Sequence, residues 1–138
     1  MDYARMFAVS AAGMTVERTR VEVAAANLAH AQTAHHPNAV GFQPMRVLAQ
    51  ALPVNFADLL AGAGPEVTLE PATVTPRLVQ DPGHPLANEQ GFVAYPGVDP
   101  AAEMVSLMSA MRSYEANVAA MNTARSLALK TLDIGKGG

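Results

Sequence analysis

The four histidines are the residues whose chemistry first raises the question of a metal site. Zinc takes Cys, His and carboxylate ligands at short, defined spacings. His35 and His36 are adjacent, so their side chains diverge in most conformations, and the chain has no cysteine to complete a zinc pattern. His30 and His84 have no second ligand four residues further along. We therefore expect solvated histidines and no metal. A small metallohydrolase is an alternative that stoichiometric zinc in the purified protein would revive.

Two serines could act as nucleophiles if His84 and Asp81 served as their base and orienting acid. Ser106 and Ser109 lack the glycine frame of a nucleophile elbow, and both fall in a segment whose periodicity predicts a helix. The glycines of residues 62–65 do not make a phosphate-binding loop, because no Lys-Ser/Thr pair follows them. We expect no enzymatic activity and no cofactor.

The net charge of the chain is −3 and is unevenly distributed. Residues 34–99 carry −4, whereas residues 1–33 are neutral and residues 100–138 carry +1. The chain has no basic stripe, so nucleic acid is not an expected partner. Residues 23–45 lack Asp, Glu, Lys and Arg, but other polar residues and Pro37 interrupt them. We therefore expect no direct membrane span.

Apolar residues recur at alternating steps of three and four in both terminal segments. This spacing keeps one stripe of a helix facing a partner helix. All ten prolines lie within Pro37–Pro100, which leaves both ends free to form long helices. We expect these helices at residues 3 to about 31 and 100 to about 134. We call the larger apolar positions of this pattern the terminal seam: Val9, Val16, Val23, Met104, Leu107, Met111, Val118, Met121 and Leu132.

Polar residues interrupt or flank the terminal seam. Thr19, His30 and Arg125 stand at seam positions, where we expect the stripe to meet a neighbouring subunit or solvent. A buried asparagine is costly unless it is paired, and such residues often fix the register of helices. The asparagines that are candidates for this role are Asn27, Asn117 and Asn122.

The methionines of the C-terminal segment permit a second interpretation of the seam. Methionine is flexible and polarizable, so a cluster of methionines can form an adaptable binding face. The spacing nevertheless favours an ordinary helical core at coiled-coil positions. The residues concerned are Met104, Met108, Met111 and Met121.

The middle of the chain has short and weak strand signals. Residues 41–48 form an extended candidate containing Pro44, and residues 67–69 alternate in polarity. Residues 91–95 read as a strand, and residues 55–61 as a helical turn. The segment Asp81-Pro-Gly-His-Pro85 has the composition of a tight turn.

These elements predict a mainly α protein with a small β-rich insertion. The N- and C-terminal helices are expected to pair as an antiparallel, coiled-coil-like hairpin. Residues 1–33 and 100–138 would then form one discontinuous helical assembly region. Residues 34–99 would form an irregular, β-rich middle region.

Several segments together resemble the axial proteins of bacterial flagella. Glu103–Asn117 and residues 124–135 resemble the C-terminal helix of that family, and residues 10–33 resemble its first helix. The turn at 81–85, followed by residues 89–96, is similar to the middle motif of rod proteins of the proximal type. The turn residues that carry this motif are Asp81, Gly83, His84 and Pro85.

The N-terminal match departs from the family at three positions. Ala26, His30 and Gln32 stand where asparagine is common in the family, while Asn27 and Thr33 are retained. The departure affects local caps and register contacts at the end of the first helix.

The resemblance implies a structural subunit of the proximal rod of the flagellar basal body. It implies polymerisation through the terminal helices into the torque-transmitting axial shaft within the periplasm. Export by the flagellar type III apparatus, without a cleaved signal peptide and with largely disordered ends before assembly, is also implied. The implied partners are other copies, other rod proteins and the inner-membrane ring or export-gate adaptor proteins. The alternative is a stably dimeric helical-hairpin interaction module outside the flagellum.

Overall fold

Along the sequence, four short strands lie between two long helices. The computed structural model describes residues 3–50, 57 and 65–136. Helix α1 spans Tyr3–His30 and helix α2 spans Pro100–Lys136. The strands are β1 at Met45–Gln50, β2 at Glu66–Pro71, β3 at Arg77–Gln80 and β4 at Phe92–Tyr95. The predicted fold class, mainly α with a small β-rich insertion, is confirmed.

The start of α2 follows from its capping residues. The Asp99 carboxylate Oδ1 accepts hydrogen bonds from the backbone N–H groups of Ala101 and Ala102, at 3.0 and 3.4 Å. Pro100 occupies the first helical position, where its missing N–H costs nothing. Glu103 lies in the first turn, where the helix dipole favours a negative charge. The helix ends at Lys136, two residues beyond the end that the sequence predicts near residue 134.

The two helices pack along the length of α1 and run antiparallel, as predicted. At one end the hydroxyl groups of Tyr3 and Thr131 are hydrogen-bonded at 3.0 Å. At the other end the Asn27 Nδ2 donates to the Glu103 Oε1 at 3.3 Å. The 28 residues of α1 extend for roughly 42 Å at the usual helical rise. The two helices therefore form a long, narrow antiparallel pair.

The strands form two separate antiparallel hairpins. Strand β1 pairs with β2, with Met45 opposite Pro71, and β3 pairs with β4, with Arg77 opposite Tyr95. His35 joins the second hairpin through an isolated bridge to Ala94. The prolines set the limits of the strands, as their missing N–H groups require.

The strand predictions for the middle region are largely confirmed. The expected strand at 91–95 becomes β4, the alternation at 67–69 lies within β2, and the candidate at 41–48 forms β1 from Met45 onward. The helical turn expected at 55–61 lies outside the described residues apart from Ala57.

Candidate assembly surface

Mostly small side chains, together with the buried Val16, line the contact between the two helices. We call the smaller residues the inner face: Ser10, Gly13, Ala24, Ala110, Asn117 and Ala124. Ala110 and Ala124 are buried, as are Ser10 and Ala24 opposite them on α1. Small residues allow two helix backbones to approach closely, which explains why glycine and alanine occupy this contact.

The two helices approach each other closely at Gly13. A Cβ atom placed on Gly13 would lie 2.8 Å from both Nδ2 and Oδ1 of Asn117. Asn117 Nδ2 donates to the carbonyl oxygen of Ser113 at 3.0 Å, so its side chain is bonded along its own helix. Asn117 therefore packs against Gly13 through van der Waals contact, and among the described residues its side-chain amide is not bonded to another side-chain amide. Asn122, the third register candidate, is exposed.

Asn27 connects three elements of the fold. Its Oδ1 accepts from the backbone N–H of Met45 at 3.0 Å, and its Nδ2 donates to the carbonyl oxygen of Met45 at 2.8 Å. The same Nδ2 lies 3.3 Å from Glu103 Oε1 on α2. Asn27 is only 2% exposed, so these bonds satisfy a buried amide that would otherwise be costly. The first residue of β1 is therefore attached to the helix pair.

Most of the large apolar side chains of α2 are exposed. We call the exposed ones that continue a 3,4 spacing along one side the outer stripe: Met104, Met108, Met111, Val118, Leu129 and Leu132. Met104 and Met111 are 48% and 47% exposed, and Leu132 is 63% exposed. Glu115, Asn122 and Arg125 complete the same spacing. The outer stripe runs along the whole helix pair and has no partner within the described residues.

The terminal seam predicted from the sequence divides between these two faces. On α2, Leu107 and Met121 are half-buried at the edge of the helix contact. The other α2 seam residues belong to the exposed outer stripe. On α1, Val16 is buried, Val23 is half-buried and Val9 is 58% exposed.

The polar exceptions of the seam have different environments. His30 stacks on Phe42, with ring centroids 4.3 Å apart, so the seam ends against the middle region of the same chain. The Thr19 hydroxyl donates to the carbonyl oxygen of Thr15 at 3.1 Å. Arg125 is exposed on the outer side of α2.

The motif at residues 81–85 forms the turn of the second hairpin. The backbone N–H of His84 donates to the carbonyl oxygen of Asp81 at 3.1 Å, and the His84 Nδ1 accepts from the N–H of Leu86 at 3.1 Å. Asp81, Gly83 and Pro85 are exposed. The turn is closed by local bonds and leaves these side chains accessible.

Neither a metal cluster nor a membrane helix is found in the part of the chain that the structure describes. No three His, Asp or Glu side chains there are grouped so as to hold a metal ion. None of the described helices combines the length and apolarity needed to cross a bilayer. The Nδ1 of His35 is buried without a hydrogen-bond partner, against Gly41.

Of the inner face, sequence reasoning predicted only Asn117, as a candidate for fixing the register, and missed the other residues. Hydrophobic periodicity selects large apolar side chains, whereas the helix contact uses small ones. A signal was present: Ala110, Asn117 and Ala124 follow one another at seven-residue steps, and Ser10 and Ala24 are two such steps apart. Small residues at a heptad interval indicate a close helix contact.

A narrow helix pair with its larger apolar side chains outside belongs to the class of helical assembly proteins. Comparison with known proteins agrees: the family described as flagellar basal body rod FlgEFG protein C-terminal matches residues 89–134. The flagellar basal-body rod protein FlgC of Escherichia coli O6:H1 is 40% identical over 132 residues, which cover 95% of this chain and 96% of the relative. FlgC of Salmonella typhimurium is 38% identical over 95% of this chain and 96% of its own. FlgC of Bacillus subtilis is 37% identical over 93% and 95%.

The chain therefore belongs to the FlgC family of flagellar basal-body rod proteins. Its function is that of a structural subunit of the rod. The resemblance stated from the sequence is confirmed.

Proposed function

We propose that this protein is built into the proximal part of the rod through its two terminal helices, and that it transmits torque there without any enzymatic role. The observation that carries the proposal is the exposed outer stripe on α2. A long apolar stripe that faces solvent in a monomer marks a surface that another protein covers. Residues 1–33 and 100–138 would be the assembly region, and residues 34–99 its outer elaboration.

The energetics of the outer stripe suit polymerisation. Burying a fully exposed Met or Leu side chain contributes about 1.5–3 kcal/mol, so covering a half-exposed one contributes roughly half of that. Several such residues along one helix would supply enough free energy to offset the loss of freedom on association. Contacts between two different faces of identical subunits do not close on themselves and build an open helical assembly, as a rod requires.

Few large apolar side chains are buried between the two helices among the described residues. Among the described residues the largest fully buried side chain is Val93, which lies in β4 and not between the helices. Isolated helices depend on packing for most of their stability. We infer that the ends of the free chain are largely disordered and become helical during assembly. Such ends suit export by the flagellar type III apparatus without a cleaved signal, followed by assembly in the periplasm.

The expected partners follow from this location in the basal body. They are further copies of the chain, other rod proteins, and the inner-membrane ring and export-gate adaptor proteins at the base of the rod. The family of rod proteins supports the first two, and the exposed stripe supplies a surface for them.

Replacing Met111 by Asp tests the assembly role of the outer stripe. We expect Met111→Asp to abolish rod incorporation and swimming while export continues, because the new carboxylate would be buried without a partner in the rod. Export is measured by immunoblotting of secreted rod protein, incorporation by immunoblotting of purified basal bodies, and swimming in soft agar. The matched control is Ala119→Asp, which adds the same charge at an exposed site about 80° around the helix. Normal swimming of Met111→Asp would reject the role.

Circular dichroism of the dilute chain separates the rod subunit from a generic interaction module. The two helices contain 28 and 37 of the 138 residues, so a folded chain would be nearly half helical. We expect a far-UV signal well below that level at low micromolar concentration. A fully helical, stable dimer would contradict disordered ends and favour the module.

A further inference from the structure

An open cleft of about 440 Å³ lies on the side of the helix pair that carries the outer stripe. We call it the stripe cleft; it is lined by Arg18, Val21, Glu22, Met111, Tyr114 and Glu115. Its apolar surface comes from Val21, Met111 and Tyr114. Arg18 Nε donates to Glu22 Oε1 at 3.0 Å, so these two charges balance each other. The stripe cleft therefore carries the net negative charge of Glu115.

A second apolar area lies on the opposite side of the helix pair. A shallow depression there is lined by Arg5, Met6, Val9, Ser10 and Ala120. Ala120 is two residues beyond Val118 of the outer stripe, and two residues turn a helix by about 200°. The depression and the outer stripe thus face away from each other.

The area around this depression extends toward the end of α2. Leu127 and Ile134 follow Ala120 at seven-residue steps, so they lie on the same side of the helix, and both are exposed. Lys130 lies between them at three and four residues. We call the apolar residues of this area the distal patch: Met6, Val9, Ala120, Leu127 and Ile134.

We propose that the stripe cleft of one copy of this chain receives the distal patch of a second copy. The inference rests on the proposed function, because it names the partner of the same helical surface. Both surfaces are apolar, and each is exposed in the single chain.

The charges around the two surfaces are complementary. The stripe cleft is negative through Glu115, whereas the exposed Lys130 places positive charge at the rim of the distal patch. Apolar contact with opposite charges at the rim favours this pairing over cleft against cleft, which would bring two copies of Glu115 together.

The positions of the two surfaces define the geometry of the pairing. The stripe cleft lies near residue 113 of α2, and the distal patch is centred near residue 127. Matching them shifts neighbouring copies by about 20 Å along the helix axis, at 1.5 Å per residue. A staggered contact between two different faces does not close into a dimer, so each copy retains one free cleft and one free patch.

Disulfide trapping in purified basal bodies tests the pairing directly, since the chain has no cysteine of its own. In the double variant Val9→Cys/Met111→Cys, oxidation should link copies into dimers and higher multimers on non-reducing gels. The linked fraction should exceed that of the control pair Val9→Cys/Ala119→Cys by at least about tenfold, because only sulfurs held near each other have a high effective concentration. If Met111→Cys lowers incorporation, Glu115→Cys supplies the cleft sulfur instead.

Three outcomes would overturn the pairing. These are a disulfide formed by Met111→Cys alone, which indicates cleft against cleft; linkage of the cleft cysteine only to another basal-body protein; and no linkage in basal bodies that contain the variant. The first two would leave the proposed assembly through the helices intact. Absence of the unsubstituted chain from basal bodies would instead reject the proposed function itself.

A charge exchange supplies a second test that needs no cysteine. Glu115→Lys and Lys130→Glu should each reduce swimming, because each places like charges across the contact. The combined variant should restore swimming to at least half of the normal rate. Additive loss in the combined variant would overturn the pairing of these two surfaces.

Discussion

The inner face of the helix pair carries small side chains and the outer stripe carries large apolar ones. In an ordinary amphipathic helix the large apolar side chains lie on the inner face. The inner face uses glycine, alanine, serine and asparagine, whereas the outer stripe carries methionine, leucine and valine. A globular helix usually buries its largest apolar side chains against its own core. Here the larger apolar side chains of the outer stripe remain exposed in the single chain. In the proposed rod, a neighbouring subunit would cover them.

Each face has a distinct physical task. The inner face brings two backbones close together and fixes which residues lie opposite each other, at little gain in buried apolar area. In the proposed assembly, the outer stripe would contribute little to the single chain but much to the rod, because a neighbour would remove its exposed side chains from water. We therefore expect substitutions in the inner face to destabilise the free chain. Substitutions in the outer stripe should leave the free chain nearly unchanged and reduce incorporation into the rod.

The largest effect on folding is expected from Gly13→Leu in the inner face. Glycine within a helix is less favourable than alanine by about 1 kcal/mol, so this change would stabilise a helix that stood alone. In the pair, the added side chain would overlap Asn117 and force the helices apart, at a cost of about 3 kcal/mol. We expect the helical signal of the free chain to require more trimethylamine N-oxide, an osmolyte that favours compact states.

The control for Gly13 is Ala11→Leu, at an exposed position of the same helix. It should leave the osmolyte midpoint nearly unchanged. A Gly13→Leu chain with equal or greater helicity than the unsubstituted chain would show that the helices are not in contact at this position.

A smaller effect is expected from Asn27→Asp, where α1, α2 and β1 meet. The change removes the donor to the Met45 carbonyl and sets a second carboxylate beside Glu103. We expect a cost of about 2 kcal/mol at neutral pH, since a buried group loses its partner. The new carboxyl would have a raised pKa in the folded chain. The loss should therefore be present at neutral pH and relieved as acidification protonates the group and restores a donor.

Asn122→Asp is the matched control for Asn27, because Asn122 is exposed on the same helix pair. Its effect on the free energy of folding, measured in the osmolyte titration, should stay within about 0.5 kcal/mol. Equal effects of the two asparagine substitutions would mean that the Asn27 bonds do not stabilise the chain.

The helices, the hairpin turn and the strand at 91–95 could be predicted because local chemistry determines them. Asp99 and Pro100 begin α2 through contacts within one helical turn. Gly91 has a φ of 78°, which suits glycine just before β4, at the end of the hairpin turn. These features depend on neighbours in the sequence and need no knowledge of distant contacts.

The division of the terminal seam into two faces could not be predicted in the same way. Hydrophobic periodicity finds the stripe of largest apolar residues, but it does not show whether its partner lies in the same chain or in another. Leu107 and Met111 belong to one pattern, yet Leu107 is half-buried whereas Met111 is exposed. The attachment of Asn27 to Met45 is likewise a contact between distant segments, so spacing along α1 gave no indication of it.

The smallest effect on the free chain is expected from Met111→Ser in the outer stripe. The side chain is 47% exposed, so its removal should change the free energy of folding, measured in the osmolyte titration, by no more than about 0.5 kcal/mol. The same change should reduce incorporation into basal bodies, because burying the exposed half of a methionine at a contact contributes about 1 kcal/mol. A marked shift of the midpoint in the free chain would show that the outer stripe also stabilises the single chain. The contrast with Gly13 would then fail, since both faces would serve folding before assembly.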